Sequence, residues 1–109
     1  MPTIYKVLGQ VNPAATTATT LYTVPSATQA VVSTISICNQ AGTSATYRIA
    51  IRVAGSALSA EEYIVYGATV AASDSILLTL GITLAATDVV TVYASSATLS
   101  FNAFGSEIS

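Results

Sequence analysis

The chain has 109 residues, enough for one domain with a single core and too few to divide into two self-supporting ones. Only 7% of them are charged while 52% are hydrophobic, against about 25% charged in an average globular protein. Three cations and a net charge of -2 exclude the phosphate-neutralising surface on which nucleic-acid binding rests, and a single cysteine, Cys38, excludes an intrachain disulfide.

Thr, Val, Ile, Ser and Tyr fill the long segments, which suits half-buried pleated surfaces, and turn residues divide them into eight predicted strands. Residues 1–19 read as an N-terminal strand or arm over 4–10, then a loop that Asn12-Pro13 opens. On that strand Ile4 and Leu8 share one face, Tyr5 and Val7 the other. A second strand, 20–24, is stopped by Pro25, and residues 26–29 turn into a third over 30–39. Plain alternation places Val31, Ile35 and Ile37 on one face of it and Val32, Thr34, Ser36 and Cys38 on the other. Cys38 reads as a small buried hydrophobe, with an interchain disulfide or a reactive thiol as the alternative.

Residues 39–44 form a hairpin loop, because Asn and Gly tolerate the positive φ such turns need. The fourth strand, 45–53, alternates most cleanly, with Tyr47, Ile49, Ile51 and Val53 inward and Arg48, Ala50 and Arg52 outward. The segment 55–63 carries the one helical signal, Ser59 standing three residues before Glu62 as in a capping box. A fifth strand covers 63–66, and 67–73 read as a small-residue loop. Asp74 opens the sixth strand, with Ile76, Leu78 and Leu80 on one face, and Gly81 ends it or marks a bulge. Residues 85–88 turn into strand 89–94, and 95–97 into strand 98–104 with Leu99, Phe101 and Ala103 inward. Turns recurring about every ten residues are typical of antiparallel sandwiches and barrels. The expected fold is therefore all-β: a single antiparallel β-sandwich over residues 1–109, jelly-roll or Ig-like, with a partly closed barrel as the alternative.

Residues 1–6 lack the basic and apolar regions of a secretory signal, and no run reaches the roughly 18 apolar residues of a membrane helix. The sequence thus reads as a cytosolic product with no membrane span. The chain contains no histidine, which removes the usual general base and commonest metal ligand, and with it any Ser-His-Asp or Cys-His arrangement. Glu61 and Glu62 are adjacent, so their side chains diverge on strand or helix alike and read as solvated charges. The scattered glycines make no phosphate loop. Asp74 and Asp88 read as turn organisers, with a calcium site shared between their loops as the alternative. No enzyme activity and no cofactor are expected.

Interaction candidates remain. Arg48 and Arg52 lie on one outward face, roughly 13 Å apart. They read either as anchors for an acidic partner or as the charges that keep that face soluble. Tyr63 and Tyr66 suit an interface, where an apolar ring with a polar tip is favoured. Ile4, Tyr5 and Val7 lie on a strand able to pair with a neighbour's sheet edge. From Val7 to Tyr47 no residue is charged, and the outward positions are Ser and Thr where soluble sheets carry Lys and Glu. Such a surface is poorly defended against association.

The stretch Leu21-Tyr22-Thr23-Val24-Pro25, followed by Ala30-Val31-Val32-Ser33-Thr34-Ile35-Ser36-Ile37-Cys38-Asn39, resembles a hairpin opening in small structural proteins of tailed bacteriophages. The similarity continues through Tyr47-Arg48-Ile49-Ala50-Ile51-Arg52, Val89-Val90-Thr91-Val92-Tyr93-Ala94 and Leu99-Ser100-Phe101-Asn102-Ala103-Phe104-Gly105. The resemblance covers most of residues 20–105 as a style of sequence, and it carries no catalytic signature. It implies a virion component, and the single short domain without coiled-coil heptads favours a capsid decoration (cement) protein. Such a protein would be a homo-oligomer, commonly a trimer, on the capsid exterior, with the major capsid protein as partner. A tail, neck or fibre module for host attachment is the alternative, and a small carbohydrate-binding β-sandwich is the alternative from another class.

Overall fold

A computed structural model describes residues 2–109. Its strands are β1 (Thr3–Val11), β2 (Thr19–Thr23), β3 (Gln29–Asn39), β4 (Ala45–Arg52), β5 (Tyr63–Val70), β6 (Ser75–Leu84), β7 (Val89–Ala94) and β8 (Leu99–Ile108). Two single 3-10 turns, Val53–Gly55 and Ala60–Glu62, interrupt the β4–β5 connection. The second turn falls where the capping pattern points, and the Glu62 carboxylate accepts from the Ser59 N–H at 3.0 Å.

Four pairings, β1 with β8, β2 with β7, β3 with β6 and β4 with β5, are those of one long hairpin bent at the β4–β5 connection. Rolling that hairpin up adds β3 beside β8 and β4 beside β7. The result is two antiparallel sheets of four, ordered β1-β8-β3-β6 and β2-β7-β4-β5. Eight strands wound in this order form a jelly roll. This decides between the expected alternatives: the order is not Ig-like, and the sheets keep their edges and do not close into a barrel. Between the sheets Val32, Ile35, Ile37, Ile49, Leu99 and Phe101 lose all solvent contact. Tyr47 of one sheet meets Phe101 of the other edge-on, with ring centres 6.2 Å apart.

Plain alternation fails at one row of bulges crossing the first sheet. Leu8 is an extra residue in β1 opposite β8, and Ser33 is an extra residue in β3 opposite the same strand. Facing Ser33, β6 supplies two residues, Leu80 and Gly81. Each bulge shifts the side-chain phase by one, so Val32 is buried together with Ile35 and Ile37, and Val31 turns outward. Gly81 therefore marks a bulge and does not end its strand. Cys38 is only partly buried, paired with Ser75 and Ser100 outside the core.

β5 and β8 run longer than their sequence pattern, and β6 takes the bulged course past Gly81 that the pattern left open. β5 continues through Gly67 to Val70 because Ala68, Thr69 and Val70 pair with Tyr47, Thr46 and Ala45. The left-handed conformation of Gly67 (φ 76) takes up the register shift there. β6 reaches Leu84 beside Ala30, and β8 reaches Ile108 beside Thr3. In each case ladder pairing with a neighbour overrides weak local preference. β4, in contrast, ends at Arg52, and Val53 lies in the following turn, 64% exposed.

One buried polar residue ties the loops at each end. At one end Asn39 donates to the carbonyls of Thr43 (2.9 Å), Val70 (3.3 Å) and Ala71 (3.3 Å), and its Oδ1 accepts from the Ala41 N–H and the Thr98 hydroxyl. At the other end Asp88 accepts from the N–H groups of Ala54 and Ala85, both at 2.9 Å, while its own carbonyl accepts from Val24 N–H. Unpaired buried polar groups are costly. Replacing Asn39 with Ala strands several of these backbone groups, and we expect a loss of about 2–4 kcal/mol by urea unfolding. Gly9 lies where a Cβ would run into the Leu21 carbonyl of the opposite sheet's edge. Gly9→Ala is expected to cost about 1–3 kcal/mol by the same measurement; an unchanged midpoint would mean that the β1 and β2 edges are not pinched together there.

Candidate functional site

The structure sorts the interaction candidates onto two different sheets. Tyr5 and Val7 pair with Ser106 and Phe104 and project from the outer face of β1-β8-β3-β6. Tyr5 is 84% exposed, and these residues border a shallow groove completed by Val31 and Ser33. Ile4 lies on the same strand but pairs with Glu107 on the inner side, half-exposed at the open end of the sandwich. Across this outer face the neighbouring side chains are Gln10, Asn102, Ser100, Thr34, Ser36, Thr79 and Thr83, interspersed with Leu77, which is 66% exposed.

None of the eight charged side chains of the chain is carried on that face. Lys6 turns inward to the Glu107 carboxylate at 3.2 Å. Arg48 and Arg52 belong to the other sheet, and Glu61, Glu62, Asp74 and Asp88 sit in connections. The face thus offers apolar groups and neutral hydrogen-bonding groups, over roughly 600 Å² at ordinary strand spacing and rise. Leu77 and Phe104 complete the patch, and the sequence reading did not select them. The signal was present: in Ile76-Leu77-Leu78 the middle residue must face away from its neighbours, and Phe104 follows an inward Ala103.

On the opposite sheet Arg48 lies between two rings, with its guanidinium carbon 4.2 Å from the centres of both Tyr66 and Tyr93. Tyr63 meets Tyr66 edge-on at 5.0 Å, and Leu58 and Ser59 border the cleft beside them. Arg52 points from the same strand but serves the loop, donating to the carbonyls of Ser56 (2.6 Å) and Gly55 (2.8 Å). The two arginines are therefore not a matched pair of free anchors: one is stacked between tyrosines and the other staples a loop. Asp74 and Asp88 lie at opposite ends of β6, which rules out a calcium ion shared between them. Among the described residues no group of three or more acidic or Cys side chains is placed to hold a metal.

Between the sheets Glu107 links three strands. One carboxylate oxygen accepts from the Tyr22 hydroxyl at 2.6 Å and the other from Lys6. Donation from Tyr22, then from Lys6, holds the Glu107 carboxyl below its ordinary value of 4.5, while burial and the adjacent carboxylate push the Tyr22 phenol up. Comparison with protein-family models and with curated proteins finds no match to this chain.

A depressed folded-state value means that Glu107 contributes stability above the unfolded carboxylate range and loses it as pH falls through the folded value. We expect Glu107→Gln to be less stable than the unaltered protein at neutral pH, with the gap closing as the pH drops below 4.5. Urea midpoints at neutral and acid pH check this, and a pH-independent gap would contradict it.

Proposed function

We propose that the protein is a non-enzymatic structural subunit, a capsid decoration (cement) protein of a tailed phage. In this reading it seats the outer face of β1-β8-β3-β6 on the major capsid protein at the exterior of the virion. The observation that carries this reading is the complete absence of charge from a four-stranded face bearing exposed Tyr5, Val7, Leu77 and Phe104. Water-facing sheets ordinarily defend themselves with charge; a face without it is suited to burial against a partner. Its extent, roughly 600 Å², is close to one side of a standard interface. The resemblance in sequence supplies the choice of partner, and jelly rolls occur in viral capsid proteins, although they occur in lectins too, so the fold alone does not choose.

The mechanism is mechanical. A rigid sandwich lying across neighbouring capsid subunits adds buried area that must be re-exposed before they separate, at about 25 cal/mol per Å² of apolar surface. It resists outward pressure from packaged DNA with no contact to the DNA, which agrees with the scarcity of cations. A second reading, a carbohydrate-binding or host-attachment module, is favoured by Tyr66, exposed beside Leu58. Against it, Tyr63 and Tyr66 stand at 89° to each other and form no flat platform for a sugar ring.

Purified protein is expected to saturate emptied mature capsids, with affinity little changed by salt because the seat holds no charge. Tyr5→Lys and Val7→Lys, at exposed positions, are expected to weaken that binding by tenfold or more, about 1.4 kcal/mol, while Tyr66→Ala leaves it unchanged. Binding to host cells or glycans but not to capsids, or loss of capsid binding through Tyr66→Ala alone, would overturn the reading.

A further inference from the structure

The two sheets end in four edge strands, and three of them carry features that discourage pairing. β1 holds Lys6 at mid-strand, bulges at Leu8, and lies against the β2 edge at Gly9. β2 is only five residues long and its register breaks between Thr20 and Tyr22. β5 follows Glu61 and Glu62 directly and shifts register twice along its length. β6 differs. It is ten residues, Ser75-Ile76-Leu77-Leu78-Thr79-Leu80-Gly81-Ile82-Thr83-Leu84, with no charge and no proline, and it pairs on one side only. Its outward Leu77 is among the most exposed apolar side chains, and its inward Ile76 and Leu78 are only half-buried because the sandwich is open along this edge. Long uncharged edges of this kind are templates for strand addition.

We infer that β6 pairs antiparallel with β6 of a second copy of this chain, about a two-fold axis through Leu77, to make a closed dimer with a continuous eight-stranded sheet. The occupant follows from self-complementarity. An axis at Leu77 places Ser75 opposite Thr79 of the second copy and Ile76 opposite its Leu78. Leu77 then faces its own counterpart. Each half-buried inner side chain therefore meets an apolar one, and the two exposed leucines cover each other. The regular stretch Ser75–Thr79 pairs without register break to β3, so it is straight enough to form a second ladder. The seam ends itself, because the charged Asp74 of one copy falls opposite the bulge at Leu80 and Gly81 of the other. An isologous contact uses this one edge on both copies, and the remaining edges resist further addition, so growth stops at two. The contact is two-fold, unlike the three-fold assembly that the phage resemblance implies. It stands independently of capsid docking and is tested with no capsid present.

The test is the molar mass of the full-length protein in solution, by sedimentation equilibrium across the micromolar to millimolar range. Twice the 11.1 kDa chain mass is expected. Leu77→Lys places like charges directly opposite each other and is expected to weaken the dimer by about tenfold or more, with an unchanged far-UV spectrum because the side chain is exposed. Leu77→Glu should do the same, and an equimolar mixture of the two variants should re-form a dimer containing one of each. A monomer or trimer throughout that range, a dimer untouched by Leu77→Lys, or a mixture of the two variants that stays monomeric would each overturn the inference.

Discussion

A rolled hairpin brings together loops that lie far apart in the chain, and in this molecule one buried polar residue closes each end. Asn39 reaches the β3–β4, β5–β6 and β7–β8 connections at one end, and Asp88 reaches the β2–β3, β4–β5 and β6–β7 connections at the other. With so few charges available, the loops are held by hydrogen bonds to backbone groups, and the only ion pair among the described residues, Lys6 with Glu107, clasps the edge strand. The ends are thereby fixed without any contribution from the sheet surfaces. Those surfaces are left free for other uses.

The bulge row decides what one of those surfaces presents. By shifting the side-chain phase at Leu8 and Ser33 it buries Val32 and turns Val31 outward, beside Tyr5, Val7 and the Phe104 that plain alternation on β8 already turns out. Lys6, on the opposite parity of the same strand, is directed away from that face to Glu107, its side chain still 44% exposed. The face that results has apolar and neutral polar groups and no ions. Its partner contacts would rest on shape, burial and neutral hydrogen bonding, terms that salt does not screen. The opposite sheet spends its arginines internally, one between two tyrosines and one on a loop, and so offers less to an acidic partner than their spacing suggests.

The all-β class, the eight strands, most of the inward residues and the single capped turn were legible because alternation and turn residues are local signals. Strand order was not, since pairing β1 with β8 or β3 with β6 depends on the roll of the whole chain. Bulges were only half legible: Gly81 signalled one, but Leu8 and Ser33 have nothing in their own chemistry that marks an inserted residue. For that reason plain alternation groups Val32 with Thr34, Ser36 and Cys38, while the bulge sets it with Ile35 and Ile37 in the core. The ends of β5 and β8 are not legible, because Gly67-Ala68-Thr69 and Gly105-Ser106-Glu107 become strand through the ladders their neighbours offer. Of the candidate residues, Ile4, Tyr5 and Val7 are selected by sequence as part of a strand able to pair with a neighbour's edge, whereas their exposure and the division of the seven residues between two sheets require the topology. Asn39 was read as a turn residue, and its five hydrogen bonds are visible only once three distant loops meet.

In the proposed reading the uncharged sheet β1-β8-β3-β6 is the surface by which this protein joins a larger assembly. Electron microscopy of the intact particle is the deciding measurement, because the two faces of the sandwich are distinguishable once the chain is fitted into density. The expected result is a sandwich on the capsid exterior with Tyr5, Val7 and Phe104 turned into the contact and the Arg48–Tyr66 cluster turned to solvent. A particle on which the Arg48–Tyr66 sheet is the one in contact, or whose capsid carries no such density, would contradict it.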